Sequence, residues 1–151
     1  MHRIDKEIMS RAEIQDILKR GRVCHLGLCD EGVPYVVPVN YGYADGFLYV
    51  HSAGKGRKVE ILRRNNLVSF NIYVDECLTE SGVACNWTTK YRSVTGSGKA
   101  SLVESRDEKE EALHLIMSHY SAGEYQFDPD AVDKVLIIKI VINSLTGKKS
   151  V

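Results

Sequence analysis

The sequence has no excess of either charge and no long apolar segment. Twenty lysine and arginine residues balance twenty aspartate and glutamate residues, so the chain lacks the long-range field that nucleic-acid or anionic-membrane binding requires. No apolar run approaches the roughly 20 residues that span a bilayer, and residues 1–7 lack the apolar centre of a signal peptide. We therefore expect a cytoplasmic protein that binds a small molecule and has no nucleic-acid or membrane partner.

The chain also lacks the cysteine pattern of a metal or redox site. Its four cysteines form no C-x-x-C pair, and a reducing compartment would keep them as thiols. A zinc site that combined them with His25 or His51 would fit no common ligand spacing. Buried structural thiols and no bound metal are the expectation.

Several catalytic motifs are missing. There is no G-x-S-x-G elbow, no Ser-His-Asp set and no Walker A loop. Asp5 and Glu7 are better interpreted as solvated charges than as the carboxylate pair of a glycosidase. If the protein is an enzyme, a bound cofactor would carry the chemistry.

The hydrophobic pattern predicts six strands and three helices. The strands are expected at residues 22–28, 33–41, 47–52, 68–74, 91–104 and 135–142, and the helices at residues 10–21, 54–65 and 107–117. Ser10 with Glu13 would cap the first helix and Asp107 with Glu110 the third, whereas residues 76–90 look irregular. Three strands follow one another before any long helix, so the sheet begins antiparallel.

This element order predicts a single α+β domain over residues 1–151, built around a closed or nearly closed barrel. With 44% hydrophobic residues, 151 residues can fill one core. A barrel this small has a packed interior, so a ligand would lie at strand edges or between subunits. The last strand, residues 135–142, is apolar on both faces, so something must cover its second face.

The most informative local feature is the junction at residues 51–58, where a strand ends and a helix begins. Glycines, three cations and a helix N-terminus coincide there, and together they suit a phosphate group. Val59 stands where a dinucleotide fingerprint needs its third glycine, so a mononucleotide fits better. Alternatively, Arg57 and Lys58 simply solvate a surface helix.

Two further segments could contact a ligand. Pro38 interrupts an aliphatic strand before Asn40, which would offer unpaired backbone groups to a flat heterocycle or simply mark an edge strand. Aromatic and polar side chains that suit a phosphorylated planar ligand, or an ordinary aromatic rim, follow later: Trp87, Tyr91, Arg92 and Ser93. His51 is the one candidate catalytic acid, although a lone strand histidine is more often structural.

These residues resemble a known family. The matching segments are Leu26-Gly27-Leu28, residues 30–41, residues 45–53, Gly56-Arg57-Lys58, Tyr91-Arg92-Ser93-Val94, Gly98-Lys99-Ala100 and Leu145-Thr146-Gly147-Lys148. Together they resemble the nitroimidazole-resistance (Nim) family of FMN-binding split barrels, which are related to pyridoxamine 5′-phosphate oxidase. The resemblance implies a six-stranded antiparallel split β-barrel of Greek-key type with peripheral helices.

The resemblance also implies a homodimer with FMN in each groove between the subunits. Carried over residue by residue, it places the isoalloxazine ring beside Val37, Pro38, Val39 and Asn40. His51 and Ser52 would meet the ribityl-phosphate end, and Arg57 and Lys58 would hold the phosphate. Tyr91, Arg92 and Ser93 would complete the pocket, with Trp87 as a further candidate contact.

The implied activity is that of an FMN-dependent oxidoreductase that reduces nitroimidazole-like or other small electron acceptors. A non-catalytic flavin-binding or flavin-sensing module explains the lack of acid-base residues equally well. A pyridoxamine phosphate oxidase proper is a third alternative, but its C-terminal substrate signature is not found and the chain ends soon after its last strand. A deazaflavin or haem would ask similar things of the groove.

Overall fold

Eight strands form one antiparallel sheet in residues 3–151, the part of the chain that the computed structural model describes. Their bounds are β1 Glu7–Ile8, β2 Cys24–Asp30, β3 Val33–Val39, β4 Gly42–Ala44, β5 Phe47–Ser52, β6 Leu67–Thr79, β7 Thr88–Val103 and β8 Leu136–Ser150. The order across the sheet is β3-β2-β6-β7-β8-β5-β4, and β1 pairs with the end of β8. The predicted α+β class with an antiparallel sheet is confirmed, but the count of six strands is not.

The two edges of this sheet are consecutive strands. Only Asn40 and Tyr41 separate β3 from β4, although these strands lie at opposite ends of the strand order. The sheet must therefore curl until its edges meet at this link. Its inner face encloses the main core, which includes Leu26, Val50 and Ile140.

The predicted strand at residues 33–41 is split at Tyr41. This side chain is fully buried, and its hydroxyl donates a 2.6 Å hydrogen bond to the Leu18 carbonyl. Its backbone N–H donates to the hydroxyl of Tyr120 at 3.0 Å rather than to a neighbouring strand. The chain therefore leaves β3 at Val39 and re-enters the sheet as β4, which alternation alone could not indicate.

The segment predicted to be irregular, residues 76–90, extends two strands at its ends and is irregular only over residues 80–87. The strand β6 continues to Thr79 after a bulge, and β7 begins at Thr88. The bulge contains Asp75, whose φ of 57° is the left-handed conformation that lets the strand bend. The result is a hairpin arm of residues 75–90.

Helices cover the open sides of the barrel. They are α1 Arg11–Arg20, α2 Arg57–Arg64, α3 Arg106–Tyr120 and α4 Pro129–Lys134. Ser10 caps α1 as predicted, by accepting from the Glu13 N–H. The third helix begins earlier than predicted, because Ser105 rather than Asp107 is its N-cap. None of the helices in residues 3–151 is both long and apolar enough to cross a membrane.

The fourth helix, α4, was not predicted from the sequence. It has only six residues, too few to show a helical period, and begins with Pro129 after an Asp128 cap.

The second face of β8 is covered mainly by α3, within the same chain. Ile137 packs there with Tyr49, Val103, Ala112 and Ile116 in a second core. The helix lies so close to β4 that a Cβ on Gly42 would stand 2.7 Å from the Ile116 nitrogen. The apolar second face of this strand is therefore explained without a partner subunit, except at Val141, which stays exposed.

Candidate functional site

The junction between β5 and α2 has the geometry of an anion site. The helix α2 begins after Gly56, whose φ of 132° is a conformation that glycine adopts readily and other residues rarely adopt. No side chain in residues 3–151 caps the N-terminus of this helix. A Cβ at Gly54 or Gly56 would meet no atom within 4 Å, so the backbone is open to solvent. The N–H groups of the first helical turn therefore remain free to donate to a ligand.

Two cations stand in this first turn, and neither forms an ion pair with another described residue. The Arg57 guanidinium lies 4.7 Å from the centre of the Tyr35 ring on β3. Lys58 is half-buried, and this burial lowers the pKa of its ammonium group. An anion bound here would compensate for lost hydration of the ammonium. We call Ser52, Arg57 and Lys58 with Tyr35 the cationic corner.

The two strand residues before this junction point in opposite directions. Ser52 is buried and its hydroxyl donates to the Ala53 carbonyl at 3.2 Å. His51 is exposed and pairs with Ile137 on β8, on the face of β5 that carries Tyr49 rather than Val50. The Ser52 side chain therefore faces the Val50 side of β5, and the His51 side chain faces the opposite side.

Successive side chains of residues 37–40 point to opposite faces of the sheet. Val37 and Val39 pack against the core, and Val39 is buried. Pro38 is exposed and pairs with His25 on the outer face of the sheet. Asn40 is exposed at the crossover to β4, with its amide nitrogen 3.5 Å from the Arg22 carbonyl.

A groove of about 700 Å³ lies on the outer face, beginning at Pro38. The rings of His25 and Tyr73 line it as a stacked pair, parallel within 4° and with centroids 6.1 Å apart. Arg20 and Arg22 line one side, and Asp75 and Glu76 also line it. We call this the outer groove. The sequence interpretation did not identify His25 and Tyr73 as ligand contacts. The pattern that could have indicated them is that each alternates with core-facing residues on its strand and so points outward.

The late aromatic and polar residues do not form one cluster. Tyr91 and Ser93 face outward around a depression of about 290 Å³ that adjoins the outer groove at Tyr73. Ser93 donates to the Lys148 carbonyl, and Trp87 is exposed near the hairpin tip with its indole N–H directed at the Ser81 carbonyl. Arg92 points to the opposite face of β7.

Arg92 is held by carboxylates rather than left open to a ligand. Its guanidinium donates to Glu13 on α1, and its Nε lies 3.4 Å from Asp75. Arg20 donates two hydrogen bonds to Asp75, at 3.0 and 2.9 Å, which lower the pKa of that carboxyl group. Lys149 also donates to Glu13. This network fixes the bulge of β6 against α1, and so holds one wall of the outer groove.

A single chain therefore presents two separate candidate binding features. The cationic corner lies beside the inward-facing Tyr35 of β3, and the outer groove lies beside the outward-facing Pro38. The four cysteines are free thiols, and the described residues contain no cluster of three or more side chains placed to hold a metal ion. The arrangement suits an anion at the corner and a flat molecule in the groove.

Comparison with known proteins extends over nearly the whole chain. The family model for pyridoxamine 5′-phosphate oxidase matches residues 10–149. A curated relative, the uncharacterized protein RA0666 of Rhizobium meliloti, is 35% identical over 65 residues. That match covers 43% of this chain and 42% of the relative, so the chain spans less than half the length of this relative.

Two solved structures share the fold. A candidate 5-nitroimidazole antibiotic resistance protein from Bacteroides thetaiotaomicron is 34% identical, with a TM-score of 0.85 over 95% of this chain and 86% of its own. The flavocytochrome Anf3 from Azotobacter vinelandii superposes with a TM-score of 0.86 at 19% identity, covering 100% of this chain and 72% of its own. The second likeness establishes the fold alone.

Proposed function

Because the chain belongs to the pyridoxamine 5′-phosphate oxidase family, we propose that it binds FMN and acts as an FMN-dependent oxidoreductase. Its substrates would be nitroimidazole-like compounds or other small electron acceptors, as suggested by the likeness to the nitroimidazole resistance protein. The observation that carries the proposal is the cationic corner, where Arg57 and Lys58 flank an uncapped helix N-terminus.

The phosphate of FMN suits this corner in charge and in hydrogen bonding. Arg57 and Lys58 would donate charge-assisted hydrogen bonds, and the free N–H groups of α2 would donate the remainder. Ser52 would join them by turning its hydroxyl from the Ala53 carbonyl to the phosphate. The isoalloxazine ring would then extend along residues 37–40, with Asn40 as the polar contact. Bound FMN would supply the electrons: converting a nitro group to a nitroso group and water takes two electrons and two protons, and oxidises one reduced flavin.

The chain's own task is to bind and orient the two reactants. Burial around Val37 and Val39 would exclude water from one edge of the ring. Arg92 is held by Glu13 and Asp75, so we assign it to the support of the groove wall rather than to the phosphate. His51 faces away from the corner, and we assign no proton transfer to it.

The second part of the proposal is a homodimer, which would bring the cationic corner of one copy and the outer groove of the other together. The outer face of the sheet combines small side chains with exposed apolar ones; Gly27, Ser69 and Ser97 lie beside Val36 and Leu67. Such a flat, partly apolar face suits close packing against its own copy. One copy's cationic corner would then lie near the other copy's outer groove. In analytical ultracentrifugation, a monomer that still holds FMN tightly would contradict this arrangement.

The experiment that tests flavin binding compares three ligands that share a ring system. Purified protein is titrated with FMN, riboflavin and FAD while flavin fluorescence is followed. We expect FMN to bind most tightly, because riboflavin lacks the phosphate and FAD carries an extra nucleotide. A protein that is colourless as isolated and binds none of the three refutes the proposal.

Catalysis is tested separately from binding. The bound flavin is reduced anaerobically and mixed in a stopped-flow instrument with nitroimidazoles or quinones. Reoxidation faster than that of free reduced FMN supports the oxidoreductase. Tight FMN binding without such acceleration would favour a non-catalytic flavin module.

A further inference from the structure

The outer groove has features that the flavin proposal does not use. The stacked rings of His25 and Tyr73 line it together with Pro38, and we call this ring pair the aromatic shelf. A shelf of this kind binds flat π-systems by stacking and requires little movement of the protein. Since Pro38 belongs to the segment beside which the isoalloxazine ring would lie, a molecule on the shelf would be next to the flavin.

Some of the charges around the shelf are paired and others are not. Arg20 and Asp75 neutralise each other through two hydrogen bonds. Arg22, in contrast, forms no ion pair with any residue in the described range 3–151, and its guanidinium lies over the Tyr120 ring at 5.5 Å. Stacking on a ring leaves the N–H groups in the guanidinium plane free to donate. Arg22 can therefore bind oxygen atoms of a ligand on the shelf.

Glu76 gives the groove a second end. It also lines the groove and forms no ion pair within the described range. Asp75, which precedes it, is compensated by Arg20 and Arg92. The groove therefore has a free cation at Arg22 and a free carboxylate at Glu76, and a ligand that fits it is flat and carries an anionic group at the Arg22 end only.

We propose that the outer groove is the acceptor site and that it selects flat aromatic compounds whose carboxylate oxygens meet Arg22. This inference rests on the proposed function for the role of acceptor, but the binding itself can be tested without flavin. Arg22 would be a specificity-determining residue and the His25–Tyr73 shelf the common platform.

The test uses two probes that differ in charge and little in shape: 4-nitrobenzoate and 4-nitrobenzamide. Both are titrated by ligand-observed NMR against the FMN-loaded protein and against flavin-free protein. A charge-assisted hydrogen bond is worth about 1.5 to 3 kcal/mol, or about 10- to 150-fold in affinity. We expect Arg22→Gln to weaken 4-nitrobenzoate about tenfold or more and 4-nitrobenzamide less than threefold.

Three further variants separate the site from a general charge effect. Lys19→Gln removes a nearby charge from the last turn of α1 at a residue that does not line the groove, and should change neither affinity. Glu76→Gln removes a negative charge that repels the probe's carboxylate, and should raise the affinity for 4-nitrobenzoate. Tyr73→Leu, at a half-exposed position, should weaken both probes because it removes the shelf.

The outcomes are distinguishable from those of the flavin proposal. If FMN fails to bind but the probes respond to these variants as expected, the groove stands and the flavin function falls. If FMN binds normally and Arg22→Gln weakens both probes equally, or neither, the groove is not selective in the way proposed. Equal losses in Lys19→Gln and Arg22→Gln would likewise overturn it.

Discussion

Replacing Lys58 tests the cationic corner most directly. Lys58 stands in the first turn of α2, half-buried and without a carboxylate partner among the described residues, and burial lowers its pKa. The folded chain therefore holds this ammonium group at some cost in hydration. Lys58→Met keeps the length of the side chain and removes that cost together with the charge.

The expected effects on flavin affinity and on stability have opposite signs. Loss of one charge-assisted hydrogen bond to the phosphate, about 1 to 3 kcal/mol, raises the FMN dissociation constant by about 5- to 150-fold. The affinity for riboflavin should change less than twofold, because riboflavin has no phosphate. The melting temperature of the flavin-free protein should stay constant or rise, since methionine needs no hydration in a half-buried position.

Fluorescence titration with both flavins, together with thermal unfolding of the flavin-free variant, measures these effects. Arg63→Met is the matched control, because Arg63 is an exposed cation in the last turn of the same helix. An unchanged FMN affinity in Lys58→Met would place the phosphate elsewhere. Equal losses for FMN and riboflavin would show that Lys58 supports the ring or the fold instead.

Three other predictions concern residues that hold the site together. Gly42→Ala should lower the free energy of unfolding by about 1 to 3 kcal/mol in denaturant titrations, because the new Cβ would stand 2.7 Å from the Ile116 nitrogen; full stability would mean that α3 can shift. Arg92→Gln should lower the melting temperature by breaking contacts to Glu13 and Asp75, with FMN affinity within twofold; a large affinity loss at unchanged stability would return Arg92 to the flavin site. His119, whose Nε2 lies 2.6 Å from the Gly21 carbonyl oxygen, has a pKa lowered mainly by burial. The unfolded chain therefore binds more protons, and the free energy of unfolding should fall as the pH drops below about 6.5. Denaturant titrations at pH 7.5 and 5.5 should show a smaller pH dependence for His119→Gln than for the unchanged protein.

Local patterns predicted the elements whose signals lie within a few neighbouring residues. The Ser10 cap, the end of α1 at Gly21 and the strand from Phe47 to Ser52 all follow from short-range spacing. The split at Tyr41 does not, because it depends on a hydroxyl from Tyr120, far along the chain. Nor does the hairpin arm, whose two strands stabilise each other by pairing rather than by an internal period.

The candidate site also has features that could be recognised in the sequence and features that could not. The glycines and cations of residues 54–58 are contiguous, so their chemistry can be recognised in the sequence. The partners of Arg92 could not be, because Glu13 and Asp75 come from α1 and from a bulge in β6. The shelf of His25 and Tyr73 was missed because it forms only when β2 and β6 become neighbours.

By itself, the sequence determined the alternation that makes an antiparallel sheet, the Ser10 cap of α1 and the cation-rich junction after β5. Those features depend on side-chain type and near spacing, which the chain carries in any conformation. Only the tertiary structure decided that α3 would cover β8, that Arg92 would be committed to ion pairs, and that an aromatic groove would open beside Pro38. These are long-range choices, because each is fixed by which strands pair and by where the curled sheet brings its edges together.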